Sequence, residues 1–310
     1  MPPKISKQTL EYVNRCPLCF SENVVFLTKR GDGLPVYQCK DCSFAFLYKR
    51  PSQEVLTSYY GSDYFQDSET YQDYFNYAQA IVDLQYCPRL QRLRKHLSDF
   101  RGKRILDVGC AAGGTLALLK EKGAEVLGIE ISEAACKIAR EQYNIEVLNC
   151  PIEEANLNND FFDVIFLFDV LEHLKEPAVA LERLHGYLVK DGYLAITVPN
   201  FDRFFDEGSQ WVGLQSYWEH LGYFRSEVIC EKLTELGFSI IEVHTYGSED
   251  KNVRMAMMKK VQRKIRDQVP VFKCFFRWAR KRKFSIIGEP NLDVRYDGSG
   301  MNLFVLARKK

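Results

Sequence analysis

The chain has 310 residues, of which 46% are hydrophobic and 27% charged, close to globular averages, so a disordered or fibrous chain is excluded. Its 42 Lys and Arg against 41 Asp and Glu leave a net charge of +1, which argues against a protein that coats nucleic acid over its whole surface. No apolar stretch follows Met1 and no run of about 18 apolar residues occurs, so we expect no secretory signal, no membrane span and a reducing, cytoplasmic location.

Four of the ten cysteines form two pairs, Cys16-Pro17-Leu18-Cys19 and Cys39-Lys40-Asp41-Cys42, with 19 residues between them. This is the spacing of two knuckles that together offer four thiolates to one tetrahedral ion. The intervening residues read as two short strands around a Gly31-Asp32-Gly33 turn, the outline of a zinc ribbon. Residues 1–50 are therefore expected to form a ribbon held by a structural zinc on Cys16, Cys19, Cys39 and Cys42. A segment this small needs the metal's binding energy to fold. Free structural cysteines or a redox pair are the competing readings. Phe20 and Ser43 follow the knuckles where glycine is common, which works against ideal turn geometry.

Residues 51–100 read as a helical bridge or lid. Seven of the 17 tyrosines fall here: Tyr59, Tyr60, Tyr64, Tyr71, Tyr74, Tyr77 and Tyr86. Aromatic faces with hydroxyl tips suit a sugar-like or aromatic ligand, and packing between domains is the plainer use for them.

Residues 101–248 with 300–310 carry an alternation of strands and helices. A strand over Ile105–Val108 enters the small-residue loop Gly109-Cys110-Ala111-Ala112-Gly113, and a helix follows from Thr115. That order turns backbone N–H groups and a helix N-terminus toward a ligand. The loop does not fit the Gly-x-Gly-x-x-Gly nicotinamide fingerprint. Glu125 to Glu130 is a second strand ending in an acid, and Asn144 to Leu148 a third, followed by Cys150, Pro151 and Ile152. Phe161 to Phe168, almost wholly apolar, is a buried fourth strand that runs into Asp169-Val170-Leu171-Glu172-His173. Leu181, Leu184 and Leu188 mark a helical stripe up to a Lys190-Asp191-Gly192 turn, and Tyr193 to Asn200 is a fifth strand. Trp211 and His220 are candidates to line a pocket, with a structural His220 the competing reading. Ser226 is expected to cap a helix that Gly237 ends. Ser239–Tyr246 and Met301–Ala307 are expected to be the last two strands.

Between those strands lies a basic insertion, residues 249–299. Residues 249–283 alone carry 13 Lys and Arg against three acids, a net of +10, so the rest of the chain sums to −9. With Phe and Trp interleaved, residues 251–284 read as a membrane-surface helix, a clamp for an anionic acceptor or a nucleic-acid contact. A solvated helix is the plainer alternative.

From residue 103 to residue 200 the pieces resemble, in order, the class I S-adenosylmethionine-dependent methyltransferases, whose first motif is Asp-x-Gly-x-Gly-x-Gly. Asp107, Gly109 and Gly113 match it, and Ala111 replaces the middle glycine. The resemblance implies an α/β fold: a Rossmann-like seven-stranded sheet with its last strand antiparallel, here carrying an N-terminal zinc ribbon. It implies S-adenosylmethionine as cofactor, held by Asp107, Gly109, Cys110, Ala111, Gly113, Glu130, Ile131, Ile152 and Asp169. It also implies His173, paired with Glu172, as a general base for the acceptor, with a His173 that only packs or orders the loop as the competing reading. The order ribbon, bridge, core resembles enzymes of polysaccharide and natural-product pathways, which implies a small polar acceptor, foremost a sugar or glycan hydroxyl. A nucleic-acid or protein methyltransferase, and an inactive binding module, are the alternatives.

Overall fold

The computed structural model describes residues 10–58, 88–97, 99–215, 219–247, 294–295 and 300–310. The tyrosines between residues 59 and 86, Trp218 and nearly all of the basic insertion lie outside the described residues.

Five short strands open the chain: β1 (Leu10–Tyr12), β2 (Val24–Lys29), β3 (Pro35–Cys39), β4 (Ala45–Leu47) and β5 (Lys49–Pro51). β2 and β3 form the hairpin expected around Gly31-Asp32-Gly33, with Val24 opposite Cys39 and Lys29 opposite Pro35. The main sheet then takes β6 (Arg104–Val108), β7 (Glu125–Ile129), β8 (Val147–Leu148), β9 (Phe162–Phe168) and β10 (Leu188–Pro199). After the two-residue strand β11 (Gly222–Tyr223) come β12 (Phe238–Tyr246), β13 (Val294–Arg295) and β14 (Asn302–Lys309). The sheet order is β13-β12-β14-β10-β9-β6-β7-β8. β6 to β10 run parallel, while β14 pairs antiparallel with both β10 and β12. This is the expected seven-stranded Rossmann-like sheet, with the short β13 added at its edge.

Parallel strands need both faces covered, and the sequence obliges: Phe162, Val164, Ile165, Phe166 and Leu167 of β9 are all buried. Helices α1 (Gln53–Ser58), α2 (Pro88–His96), α3 (Gly114–Glu121), α4 (Glu133–Tyr143), α5 (Pro177–Tyr187) and α6 (Ser226–Glu235) are the longer helical elements among the described residues. α3 follows β6 as expected and α4 follows β7, the latter capped by Ser132, whose side chain accepts the Ala135 N–H.

Local expectations differ from the fold at several points. The third strand is only Val147–Leu148, because α4 continues to Tyr143 and Asn144 closes it in a left-handed conformation. The Lys190-Asp191-Gly192 turn is a kink within β10, where Asp191 has φ of 64° and the pairing to β9 shifts between Leu188 and Tyr193. Ser226 does not cap α6 but begins it. Asp202 takes the capping role, accepting the Ser226 N–H at 3.0 Å and its hydroxyl at 2.7 Å. Gly237, at φ of 92°, ends that helix as expected.

The ribbon is not confined to residues 1–50. Its sheet has the order β11-β4-β3-β2, so the fourth strand comes from the segment between β10 and β12. Cys16, Cys39, Phe44 and Phe46 share one buried cluster with Leu171, Val198 and Phe224. The two parts are built on a common core.

Candidate active site

The site lies at the carboxyl ends of β6, β7, β9 and β10, where open α/β sheets hold ligands. It has two halves.

The first half is the glycine loop. Val108 pairs with Ile129, so β6 and β7 end together. The N–H groups of Gly109 and Cys110 both donate to the Ile129 carbonyl, at 2.8 and 3.1 Å, which folds the loop over β7. Gly109 has φ of 73°, and a Cβ there would lie 2.4 Å from Cγ2 of Val170, in the turn after β9. Only glycine meets both demands. Ala111 has φ of 48°, so it also sits in the left-handed region. The substitution of the motif's middle glycine therefore acts through backbone strain, about 1–2 kcal/mol by the usual penalty for an L-residue there.

Glu130 supports the loop from below. It is buried, and its carboxylate accepts the N–H groups of Ala111 and Ser132, each at 2.9 Å. Burial pushes its pKa up, while those two donors hold it down. A carboxylate has about four acceptor positions, so these bonds leave it capacity to accept from a ligand. Asp107 is buried at the end of β6, and Ile131 exposes 42% of its surface beside Glu130. Ile152, by contrast, is 2% exposed and belongs to the core, so it packs rather than opening to a ligand. The Cys110 thiol likewise points inward, to where a Cβ on Gly128 would meet it at 2.4 Å. What Cys110 can offer a cofactor is its main chain.

Asp169 has φ of 56° and is bound to β10: its N–H donates to the Thr197 carbonyl at 2.9 Å, and Thr197 Oγ1 donates to Asp169 Oδ1 at 2.9 Å. It orders the turn that carries the next residues.

The second half is that turn and the segment after β10. Leu171–His173 is a single 3-10 turn, with Glu172 buried and His173 half-buried. His173 Nδ1 lies 3.3 Å from the Glu219 carbonyl. A carbonyl only accepts, so Nδ1 carries the proton and Nε2 is the basic atom. Nε2 is 3.9 Å from Glu172 Oε1. The ring of His220 meets that of His173 edge to face at 4.8 Å between centroids. One ligand atom from each of Glu172, His173 and His220 falls within 4.8 Å of the others, a donor set that also suits a divalent ion.

Burial dominates the electrostatics here. It pushes Glu172 well above the usual carboxylate range, with Asp169 adding to the effect, and it lowers His173 to about 4. His220 is also lowered, by burial and then by the neighbouring His173. The same burial thus disfavours the charged form of both members of the pair. Glu172 Oε2 has no hydrogen-bond partner among the described residues.

Trp211, expected to line a pocket, is 1% exposed and packs on Phe201 and Tyr223. It is part of the seam between ribbon and core. Sequence reasoning missed Thr197, which holds Asp169, and Glu219, whose carbonyl sets the His173 tautomer. Neither carries a local signal, because each acts across 28 residues or more.

The four cysteines converge as their spacing predicts, with all four Sγ atoms within 4.8 Å of one another. Cys16 and Cys42 lie 3.6 Å apart, and Cys19 and Cys39 lie 3.5 Å apart. Both knuckles close alike: Phe20 N–H donates to the Cys16 carbonyl and Ser43 N–H to that of Cys39, at 2.8 and 3.0 Å. Phe20 and Ser43 take φ of 64° and 61°, the conformation glycine would supply.

This sheet, its glycine loop and the acidic end of its second strand are the architecture of the class I S-adenosylmethionine-dependent methyltransferases. Comparison with known proteins gives the family. A methyltransferase-domain family matches residues 78–243, more than half of the chain, and the chain belongs to it. A ubiquinone biosynthesis O-methyltransferase from Acinetobacter baylyi is 31% identical over 119 residues, which cover 36% of this chain and 50% of that protein. The chain thus spans about half the length of the curated relatives it matches. An S-adenosylmethionine dependent methyltransferase from Mesorhizobium loti superposes with a TM-score of 0.50 at 19% identity, covering 73% of this chain and all of that one. Magnesium protoporphyrin IX methyltransferase from Synechocystis PCC 6803 superposes with a TM-score of 0.52 at 15% identity, covering 84% of this chain and all of that one. At such identities the likeness is one of fold.

Proposed function

We propose that this chain transfers a methyl group to a hydroxyl of a small acceptor, with His173 as the general base. The observation that carries the reading is the His173–Glu172–His220 cluster at the carboxyl end of β9, joined to the glycine loop through Val170 and Gly109. S-adenosylmethionine supplies the electrophilic methyl, so the chain's own task is to align the acceptor and take its proton. Residues Asp107, Gly109, Gly113 and Glu130 hold the cofactor, with Ile131 as an apolar face for the adenine. His173 Nε2 receives the hydroxyl proton, and Glu172 Oε1 lies 3.9 Å from that atom.

A sugar or glycan hydroxyl is the acceptor implied by the order of ribbon, bridge and core. A phenolic hydroxyl is the second reading, favoured by a specific observation: a base with pKa of about 4 matches a phenol, which ionises near 10, better than an alcohol. The names of the relatives, O-methyltransferases of ubiquinone biosynthesis, support transfer to an oxygen. A panel of catechols, phenols and saccharides, read by release of S-adenosylhomocysteine, separates the two. Turnover of saccharides alone would reject the phenolic reading, and undiminished turnover in His173→Gln would reject the general base.

We further infer that the four cysteines hold a structural zinc. Tetrahedral zinc–thiolate bonds of about 2.3 Å set sulfur atoms about 3.8 Å apart, near the observed 3.5 and 3.6 Å. All four positions would then be filled by protein, leaving no place for substrate. One equivalent of zinc in the purified chain, lost in Cys39→Ser, is the expected result.

The basic residues 251–284 remain a candidate contact for an anionic membrane, which would place a cytoplasmic enzyme at a surface. Among the described residues no helix is long and apolar enough to cross a membrane. Co-sedimentation with anionic vesicles that is unchanged by deleting residues 251–284 would remove this idea. Salt-sensitive RNA binding would instead favour a macromolecular acceptor.

A further inference from the structure

We propose that Arg30 and Arg50 of the cysteine domain are positioning residues, which fix the two turns that carry His220 and His173. Both arginines are buried, at 3% and 6% exposure, although arginine is among the residues least often buried. Each is oriented by carboxylates and spends one arm on a main-chain carbonyl of the site.

Arg30 is gripped by Asp32, through Nε to Oδ1 at 3.1 Å and Nη2 to Oδ2 at 2.7 Å. Its remaining arm, Nη1, donates to the His220 carbonyl at 2.9 Å. Arg50 is held by Glu11 at 2.8 Å and Glu176 at 3.4 Å, and its Nη1 donates to the Lys175 carbonyl at 2.7 Å. Lys175 is two residues beyond His173, and its ammonium also pairs with Glu11 at 2.7 Å. A planar fork with one face clamped has little freedom, so the carbonyl it holds is placed in direction as well as distance.

The backbone ties the same two turns together between these anchors. Leu221 N–H donates to the Glu172 carbonyl at 2.8 Å, while the Leu221 carbonyl accepts from Leu47 of the ribbon at 2.9 Å. Gly222 then pairs with Phe46. A Cβ on Gly222 would stand 2.7 Å from Phe44, so the strand is seated closely on the ribbon. The histidine turns are thereby stapled at three places to a domain that contributes no histidine or carboxylate to their cluster. The catalytic meaning of this rests on the reading of His173 as a base; the positioning itself does not.

The chain has five histidines, so a full-length protein labelled at histidine gives few enough imidazole NMR signals to assign by His173→Gln and His220→Gln. Arg30→Ala should move the His220 signal and Arg50→Ala the His173 signal, each more than those of His96 and His185. Cofactor affinity by calorimetry should stay within about two-fold, because the glycine loop makes none of these bonds. Lysine in place of either arginine keeps one charged donor and should return its signal part of the way. If the alanine variants do not fold, the lysine variants carry the same test. Folded variants whose His173 and His220 signals stay where they are would overturn the proposal. Should His173→Gln keep full turnover while the arginine variants move both signals, the base fails and the positioning stands.

Discussion

The two halves of the site are built in opposite ways. The cofactor half spans residues 107–131, nearly contiguous, and its geometry comes from backbone conformation: glycines at positive φ, N–H groups turned onto one carbonyl, a helix N-terminus at Gly114. The acceptor half draws on residues 30, 47, 50, 172–176 and 219–222, joined by bonds that cross as many as 190 residues. The glycine loop is shaped by local chain geometry. The histidine turns are held by tertiary contacts, and in this chain the cysteine domain supplies them.

Changes to the two halves should therefore fail differently. Gly109→Ala is expected to have the largest effect, since its Cβ would strike Val170 in a backbone conformation that already disfavours alanine. Calorimetry should find cofactor binding abolished, with thermal melting showing a loss of roughly 2–4 kcal/mol. His173→Gln should do the reverse, leaving cofactor affinity intact while kcat falls by about 10² to 10⁴. A joint loss of both would erase the distinction between the halves.

The third effect is one of pH. The folded His173 has a pKa of about 4 against 6.5 for a free imidazole. The unfolded chain therefore takes up this proton first, and the stability it brings is complete above 6.5 and lost as pH falls toward 4. Melting of wild type and His173→Gln across that window should show the wild type losing ground relative to the variant. In kcat/KM the acid limb due to His173 should lie near pH 4, and a limb near 6.5 would show an exposed imidazole instead. The smallest effect is a gain. Ala111→Gly removes left-handed strain and should stabilise by about 1 kcal/mol, visible in denaturant midpoint.

Much of this was legible in the residues themselves. Cys16, Cys19, Cys39 and Cys42 announced their convergence by spacing, and the β6 loop announced itself by Asp107, Gly109 and Gly113. Glu130 followed because a strand of known length must end at the same edge as β6. Legibility failed where side-chain direction decides: Ile152 and Cys110 lie at the right places along the chain but point into the core. Trp211 sits in the right segment and seals the seam to the ribbon instead of lining a pocket. Phe20 and Ser43 show the converse error, since their departures from glycine leave the turns in place, in the left-handed region.

By itself the sequence determined the class of fold, the glycine loop after β6 and the four-cysteine knot, because each depends on local periodicity, backbone freedom or short spacing. Tertiary structure alone decided that the ribbon borrows its fourth strand from the catalytic core. It alone made Arg30 and Arg50 anchors of the histidine turns and buried His173 beside Glu172, raising the pKa of the carboxyl and lowering that of the imidazole. Those outcomes depend on which distant groups are buried together, and burial is a property of the folded whole rather than of any stretch of chain.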